Sequence, residues 1–252
     1  MSLRDYKLFG AVLAFFAIYA FVILWNTWPI QEMSVAKSGV FGDSFGALTA
    51  LFSGLAFAGL LTTIWQQKEE IALTRKEIRD QHFDNILFRM LEMHNNIVTD
   101  IDLRADGSNT SLQEGYLFST GRDCFENFHE DITAIYLEKS KEEHSLEEIL
   151  NNTYEEFWNL RKKDLGHYFR NLYNIFKFIK NSDIEDKKTY SNLVRAQLSD
   201  YELSILFYNC ISKYGRERFK PLIEEFHILN NLPQELLLSE NHKRFYSENA
   251  FI

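Results

Sequence analysis

The chain has 252 residues, 46% of them hydrophobic, and a formal net charge of −9, an acidity that argues against a general nucleic-acid binder. Its two cysteines, Cys124 and Cys210, form no Cys-x-x-Cys pattern and read as packed thiols rather than a disulfide or a metal site.

Residues 8–28 and 45–65 each run 21 positions without Asp, Glu, Lys or Arg. A helix of that length spans about 30 Å, the hydrocarbon thickness of a bilayer. Trp25, Trp28 and Trp65 sit at the ends, where indoles settle among headgroups, and Pro29 stops the first helix. A cleaved signal peptide fits poorly, because the apolar run exceeds the usual length of about 7–15 residues and a second span follows. Ser34-Val35-Ala36 is the cleavage site that reading would use. Arg4 and Lys7 precede the first span, and Lys68, Arg75, Lys76 and Arg79 follow the second, whereas the loop 29–44 holds only Lys37. The bias puts both termini in the cytoplasm.

Within the second span Gly46, Ala50, Gly54 and Ala58 recur every four residues, a face of small side chains that permits close helix packing in lipid. It serves either docking on the first span or self-association. Thr49, Ser53, Thr62 and Thr63 supply hydroxyls that could bond across helices or line a wet path. Neither span holds a charge, so proton relays and ion-coupled transport lack their usual residues. Two spans enclose no pathway, so any pore needs several copies.

A helix rich in good formers continues from 66 to about 102, with Ile64, Ile71 and Ile78 at coiled-coil spacing. Apolar positions then thicken through Ile86, Leu87, Met90, Leu91, Ile97 and Val98, where a polar stalk enters a folded domain. Residues 106–121 read as a loop. Helices are expected at about 122–139, 145–162 and 165–181. In the last, Leu165, Phe169, Leu172, Phe176 and Ile179 form a core-facing stripe, with Arg170, Asn174, Lys177 and Lys180 turned away. Ser199 and Glu202 form a capping box for a helix running to Tyr214 and stopped by Gly215. Pro221 suits the first turn of a last helix carrying Leu222, Ile223, Phe226 and Leu229. No strand pattern stands out. The class is all-α: a transmembrane hairpin over 1–65, a helical stalk over 66–104 and a cytosolic helical domain over 105–252.

Charge is segregated. Residues 66–160 carry 9 basic and 21 acidic side chains, and residues 161–220 carry 13 basic and 7 acidic. The basic block, which includes Tyr168, Tyr173, Phe176 and Tyr190, either packs against the acidic block or offers a nucleic-acid or lipid-headgroup surface. Packing is the favoured reading, and Glu142-Glu143, Glu147-Glu148 and Glu155-Glu156 read as solvated faces.

The strings His167-Tyr168-Phe169-Arg170-Asn171-Leu172-Tyr173 and Tyr190-Ser191-Asn192-Leu193-Val194-Arg195-Ala196-Gln197-Leu198-Ser199, with Glu202-Leu203, resemble the signature of phage abortive-infection proteins, the AbiC-like family. Gly42-Asp43-Ser44-Phe45-Gly46, set between two apolar spans, fits the same pattern, so the resemblance extends over nearly the whole chain. It implies a bacterial antiviral protein of the inner membrane, similar to two-span effectors that act beside reverse transcriptases in retron systems. A reverse transcriptase nucleoprotein is therefore one partner it suggests. The family supplies no catalytic residues. His167, Arg170, Asn171, Arg195, Gln197 and Glu202 are its motif positions and candidate switch contacts, since charges at a helical interface are costly unless paired.

A membrane-tethered ribonuclease of the HEPN class is the runner-up. Such enzymes place an Arg a few residues before a His, to hold phosphate and move protons. Arg122 with His129 fits, as do Arg75 with His82, Arg89 with His94, and Arg161 with His167. No phosphate-binding glycine loop, Gly-x-Ser-x-Gly elbow or His-Glu-x-x-His motif is present. The reading is a non-enzymatic antiphage effector without cofactor or metal. Its cytosolic domain senses infection or binds a partner, and its hairpins assemble to disrupt the membrane. A membrane-anchored sensor or scaffold is the third possibility.

Overall fold

A computed structural model describes residues 3–26, 35–104 and 117–251. The expectations for Trp28, Pro29, Ser34 and residues 106–116 lie outside them. The protein is all-α, with one small pair of strands. The described chain divides into two compact units, Met1–Thr74 and Arg75–Ile252.

The first unit holds α1 (Leu3–Asn26) and the opening turns of α2 (Val35–Thr99). Helix α2 begins inside the segment expected as a loop. Aromatic rings join the two helices: Phe16 and Phe15 meet Phe52 at 5.1 and 5.7 Å, and Tyr19 meets Phe45 at 5.4 Å. The outward side chains, among them Leu51, Leu55, Phe57 and Leu60, stay exposed. Among the described residues one helix, over Leu48–Thr99, contains an 18-residue window long and apolar enough to cross a membrane, and Ala14–Asn26 is a shorter apolar helix. The threonines satisfy themselves locally. Thr49 donates to Phe45 O, and Thr62 and Thr63 both donate to Gly59 O, so these hydroxyls bond to their own helix.

In the second unit α2 becomes a core helix. Phe83, Leu87, Leu91, His94 and Val98 are buried on one side, while Ile78 and Phe88 remain exposed. After α2 the chain enters β1 (Asp102–Arg104), which pairs antiparallel with β2 (Leu117–Thr120), strands that the sequence pattern did not announce. They are three and four residues long, too short for alternation to register, and a bulge interrupts them. Gly121 follows at φ 61°, where its lack of a Cβ is needed, and its N–H donates to Ile101 O at 2.7 Å.

Helix α3 (Cys124–Lys139) packs on α4 (Leu146–Asn181) and α6 (Asp200–Ile211). The sequence suggested two helices where α4 is one. Its apolar stripe passes unbroken from Tyr154 and Phe157 to Leu165, Phe169 and Leu172, and Gly166 has nothing within 4 Å that would favour a break. Ser145 and Glu148 form a capping box at its start, an unanticipated twin of the Ser199–Glu202 box that starts α6. Between them α5 (Lys187–Arg195) is capped by Asp186, whose side chain accepts from Thr189 N.

Helix α6 stops at Ile211 rather than Tyr214, because Ser212 turns extended and its hydroxyl takes the Tyr214 N–H. Gly215 serves close approach instead. A Cβ there would lie 2.8 Å from Asn209 O and from Cys210 Cα. Pro221 sits in the first turn of α7 (Lys220–Glu225), which ends early as His227 adopts φ 53°. The tail then packs back onto α6: Tyr246 donates to Phe207 O, and the Tyr208 hydroxyl accepts from Leu238 N. Cys124 and Cys210 are buried free thiols whose pKa is raised by burial. Gly215→Ala forces a backbone shift against α6 and is expected to destabilise the second unit by about 1–3 kcal/mol, read as a lowered denaturant midpoint with unchanged slope.

Candidate functional site

Four of the signature residues, Tyr168, Asn171, Tyr190 and Gln197, meet one element, α2. From α4, Asn171 is buried and donates through Nδ2 to Met90 O at 3.4 Å, while the Tyr168 ring lies 4.9 Å from that of His94. From α5, the Tyr190 hydroxyl donates to Asp84 Oδ1 at 2.7 Å. This bond to a carboxylate is the main reason its pKa is pushed up to about 12. The Phe83 ring stacks on Phe178 at 4.9 Å and meets Tyr190 edge-on, so the polar bond is flanked by aromatic packing. At the end of the second signature string, Gln197 Oε1 accepts from Asn95 Nδ2 at 3.3 Å.

Arg122 closes this cluster from the start of α3. Its Nη2 donates to Gln197 O at 2.8 Å and to Asn95 Oδ1 at 3.4 Å, and its Nε stands 3.8 Å from Glu202 Oε2. Glu202 is fully buried while Arg122 is 48% exposed, so one carboxylate is held in the interior by a cation that reaches solvent. The same Oε2 accepts from Ser199 N at 2.7 Å, making the carboxylate both helix cap and ion-pair partner.

Three buried polar groups of the cluster lack hydrogen-bond partners: both His94 ring nitrogens, the Tyr168 hydroxyl and Glu202 Oε1. Burial, with the Glu202 charge behind it, pushes the Tyr168 phenol well above its usual range. Glu202 raises Tyr168 through its charge and through a side-chain contact looser than an ordinary hydrogen bond. His94 is driven down to about 4, first by burial and then by the Arg122 charge, and is neutral at physiological pH.

Other motif positions face elsewhere. Arg195 donates to His227 O at 3.0 Å and fixes the left-handed turn after α7. His167 and Arg170 lie on the exposed side of α4. Arg122 and His129 make their bonds to different partners: His129 Nδ1 pairs with Ser204 Oγ at 3.1 Å, and its pKa is lowered by burial. The histidine on which the Arg122 charge acts is His94. Arg161 is taken by Asp131 at 2.7 Å. On α2, Gly46, Ala50, Gly54 and Ala58 are all exposed, and a Cβ added at Gly46 or Gly54 meets nothing within 4 Å.

Sequence reasoning met His94 only as the spacing partner of Arg89, and it missed Asn95, an exposed residue whose type carried no signal. It also missed the buried Tyr154–Asn209 bond and His242, which sits between Tyr136 and Tyr208 with its pKa lowered by burial to about 4. No group of His, Cys, Asp and Glu among the described residues could hold a metal ion.

The model of the family described as "Putative phage abortive infection protein" matches residues 161–237. That stretch runs from the middle of α4 past α7 and includes every signature string noted above. It supports the abortive-infection resemblance for this segment, and does not extend to the N-terminal pattern. No curated protein and no solved structure matches the chain.

The buried histidines make stability depend on pH. His94 has a folded pKa of about 4 against 6.5 unfolded, so the unfolded state binds more protons between those values. Its contribution is full above pH 6.5 and is lost as pH falls towards 4, at a slope approaching about 1.4 kcal/mol per pH unit. In denaturant titrations at pH 7, 6 and 5, His94→Phe should therefore lose less stability on acidification than the native chain.

Proposed function

We propose that this chain is an abortive-infection effector held in the bacterial inner membrane by two spans, residues 8–28 and 45–65, with both termini cytoplasmic. The observation that carries this reading is that the family-matched segment bonds to α2, the helix whose earlier turns hold the apolar stretch. Residues 75–252 sense infection, directly or through a partner such as a reverse transcriptase nucleoprotein. An altered grip on α2 then lets the spans of several copies associate and breach the membrane. The exposed Gly46, Ala50, Gly54 and Ala58 face is the packing surface, since α1 meets α2 through Phe45 and Phe52 instead. Small residues permit the close backbone approach that drives association in lipid. The killing step is physical rather than enzymatic.

Gly54→Ile is expected to abolish killing while leaving expression, insertion and the fold unchanged, because the added side chain meets open space in the single chain. A voltage-sensitive dye in phage-infected cells provides the readout. The native protein should depolarise cells before RNA or growth declines, and the variant should not. Growth arrest with an intact potential would move the lethal step into residues 75–252 and overturn the membrane reading.

A further inference from the structure

The structure divides the basic block of residues 161–220 into two populations. Arg161, Lys213 and Arg216 pair with Asp131, Glu155 and Glu147 of the acidic block, and Lys180 and Lys220 pair with Glu225 and Glu224. Lys163, Arg170 and Lys177 form no ion pair among the described residues, although the Lys163 charge acts on the neighbouring Asp164. These three recur every seven residues on α4, with His167 and Asn174 between them, and all five are exposed. Spacings of four and three put them on one face, a stripe about 21 Å long.

We propose that this stripe is a binding site for the phosphate backbone of single-stranded RNA. Helix polarity does not account for it: α4 ends at Asn181, and the macrodipole favours cations only in the last turn, about three turns beyond Arg170 and five beyond Lys163. The middle of the stripe is already organised. Arg170 Nε donates to Gly166 O at 2.9 Å, and its Nη2 lies 3.2 Å from His167 Nδ1. A guanidinium only donates, so Nδ1 is the acceptor and the remaining ring proton sits on Nε2. Lys177 Nζ rests 5.8 Å from the centre of the Tyr173 ring. The stripe thus offers three cations in line, with an imidazole N–H and an amide between them. That combination follows a single strand and can reach a 2′-hydroxyl. A planar anionic membrane is the poorer match, because it would also meet the acidic remainder of the domain, whereas a strand touches only the stripe. This site does not rest on the membrane reading.

The test uses the full chain in zwitterionic nanodiscs with fluorescein-labelled oligouridine. Three phosphate contacts predict a log–log dependence of affinity on salt with a slope of about −2. The triple variant Lys163→Gln, Arg170→Gln, Lys177→Gln should bind about tenfold or more weakly with a flattened slope, its melting temperature unchanged because Gln keeps helix propensity. Lys188→Gln with Arg218→Gln removes two exposed, unpaired cations off the stripe and should change affinity by less than about twofold. Absence of RNA binding by the native chain at low salt, or equal losses in both variants, would overturn the proposal. So would binding to phosphatidylglycerol vesicles without binding to RNA.

Discussion

The second unit depends on the burial of one face of α2. Phe83, Leu87, Leu91 and Val98, with His94 among them, give it a wall met by α4 and the α5–α6 segment. Burying each large apolar side chain is worth about 1.5–3 kcal/mol, so this face outweighs any single polar contact nearby. The polar contacts decide register instead. Asn171 reads a backbone carbonyl, Tyr190 reads Asp84, and Gln197 reads Asn95, at three successive levels of α2. The two neutral bonds are worth about 0.5–1.5 kcal/mol net and the bond to the Asp84 carboxylate about 1.5–3, enough to select one alignment of the helix without holding it alone.

Much of this was legible in the chain. The all-α class, the capping box at Ser199, the role of Pro221 and the core-facing stripe of α4 follow from periodicity and capping chemistry, which are local. What stayed hidden is set by distant contacts. The expected gap at 163–164 closes because the stripe on both sides meets one continuous core. Gly215 looks like a helix stop, and only the nearness of Asn209 reveals a packing constraint. The same limit applied to the candidate site. Arg122 was visible as one half of an Arg–His spacing, but its true company comes from α2, the α5–α6 connection and α6, more than 25 residues away on either side. Asn171, Tyr190 and Gln197 find their partners on one helix, α2, something no spacing within the motif could show.

Charge segregation along the sequence likewise resolves only in three dimensions. A basic block after an acidic one suggests two layers pressed together, and Arg161, Lys213 and Arg216 bear that out for part of it. Exposed pairs of this kind contribute little to stability, typically about 0–1 kcal/mol, so their main effect is to fix which faces meet. The unpaired cations on α4 belong to the same block by composition and to a different surface by geometry. Helical phase separates them: positions 163, 170 and 177 fall on the outer face, whereas 161 turns towards α3.

The cluster at His94, Tyr168 and Glu202 runs against the economy of the rest of the core. An unsatisfied buried polar group costs about 1–3 kcal/mol, and three of them stand within one contact between α2 and the signature helices. An apolar set of similar volume would hold α2 more tightly. Their presence leaves the contact less stable than its buried area suggests, and Arg122, which reaches solvent, supplies the charge that makes the buried carboxylate tolerable. Anything that drew the Arg122 guanidinium away would leave Glu202 uncompensated and add to a contact already carrying that deficit.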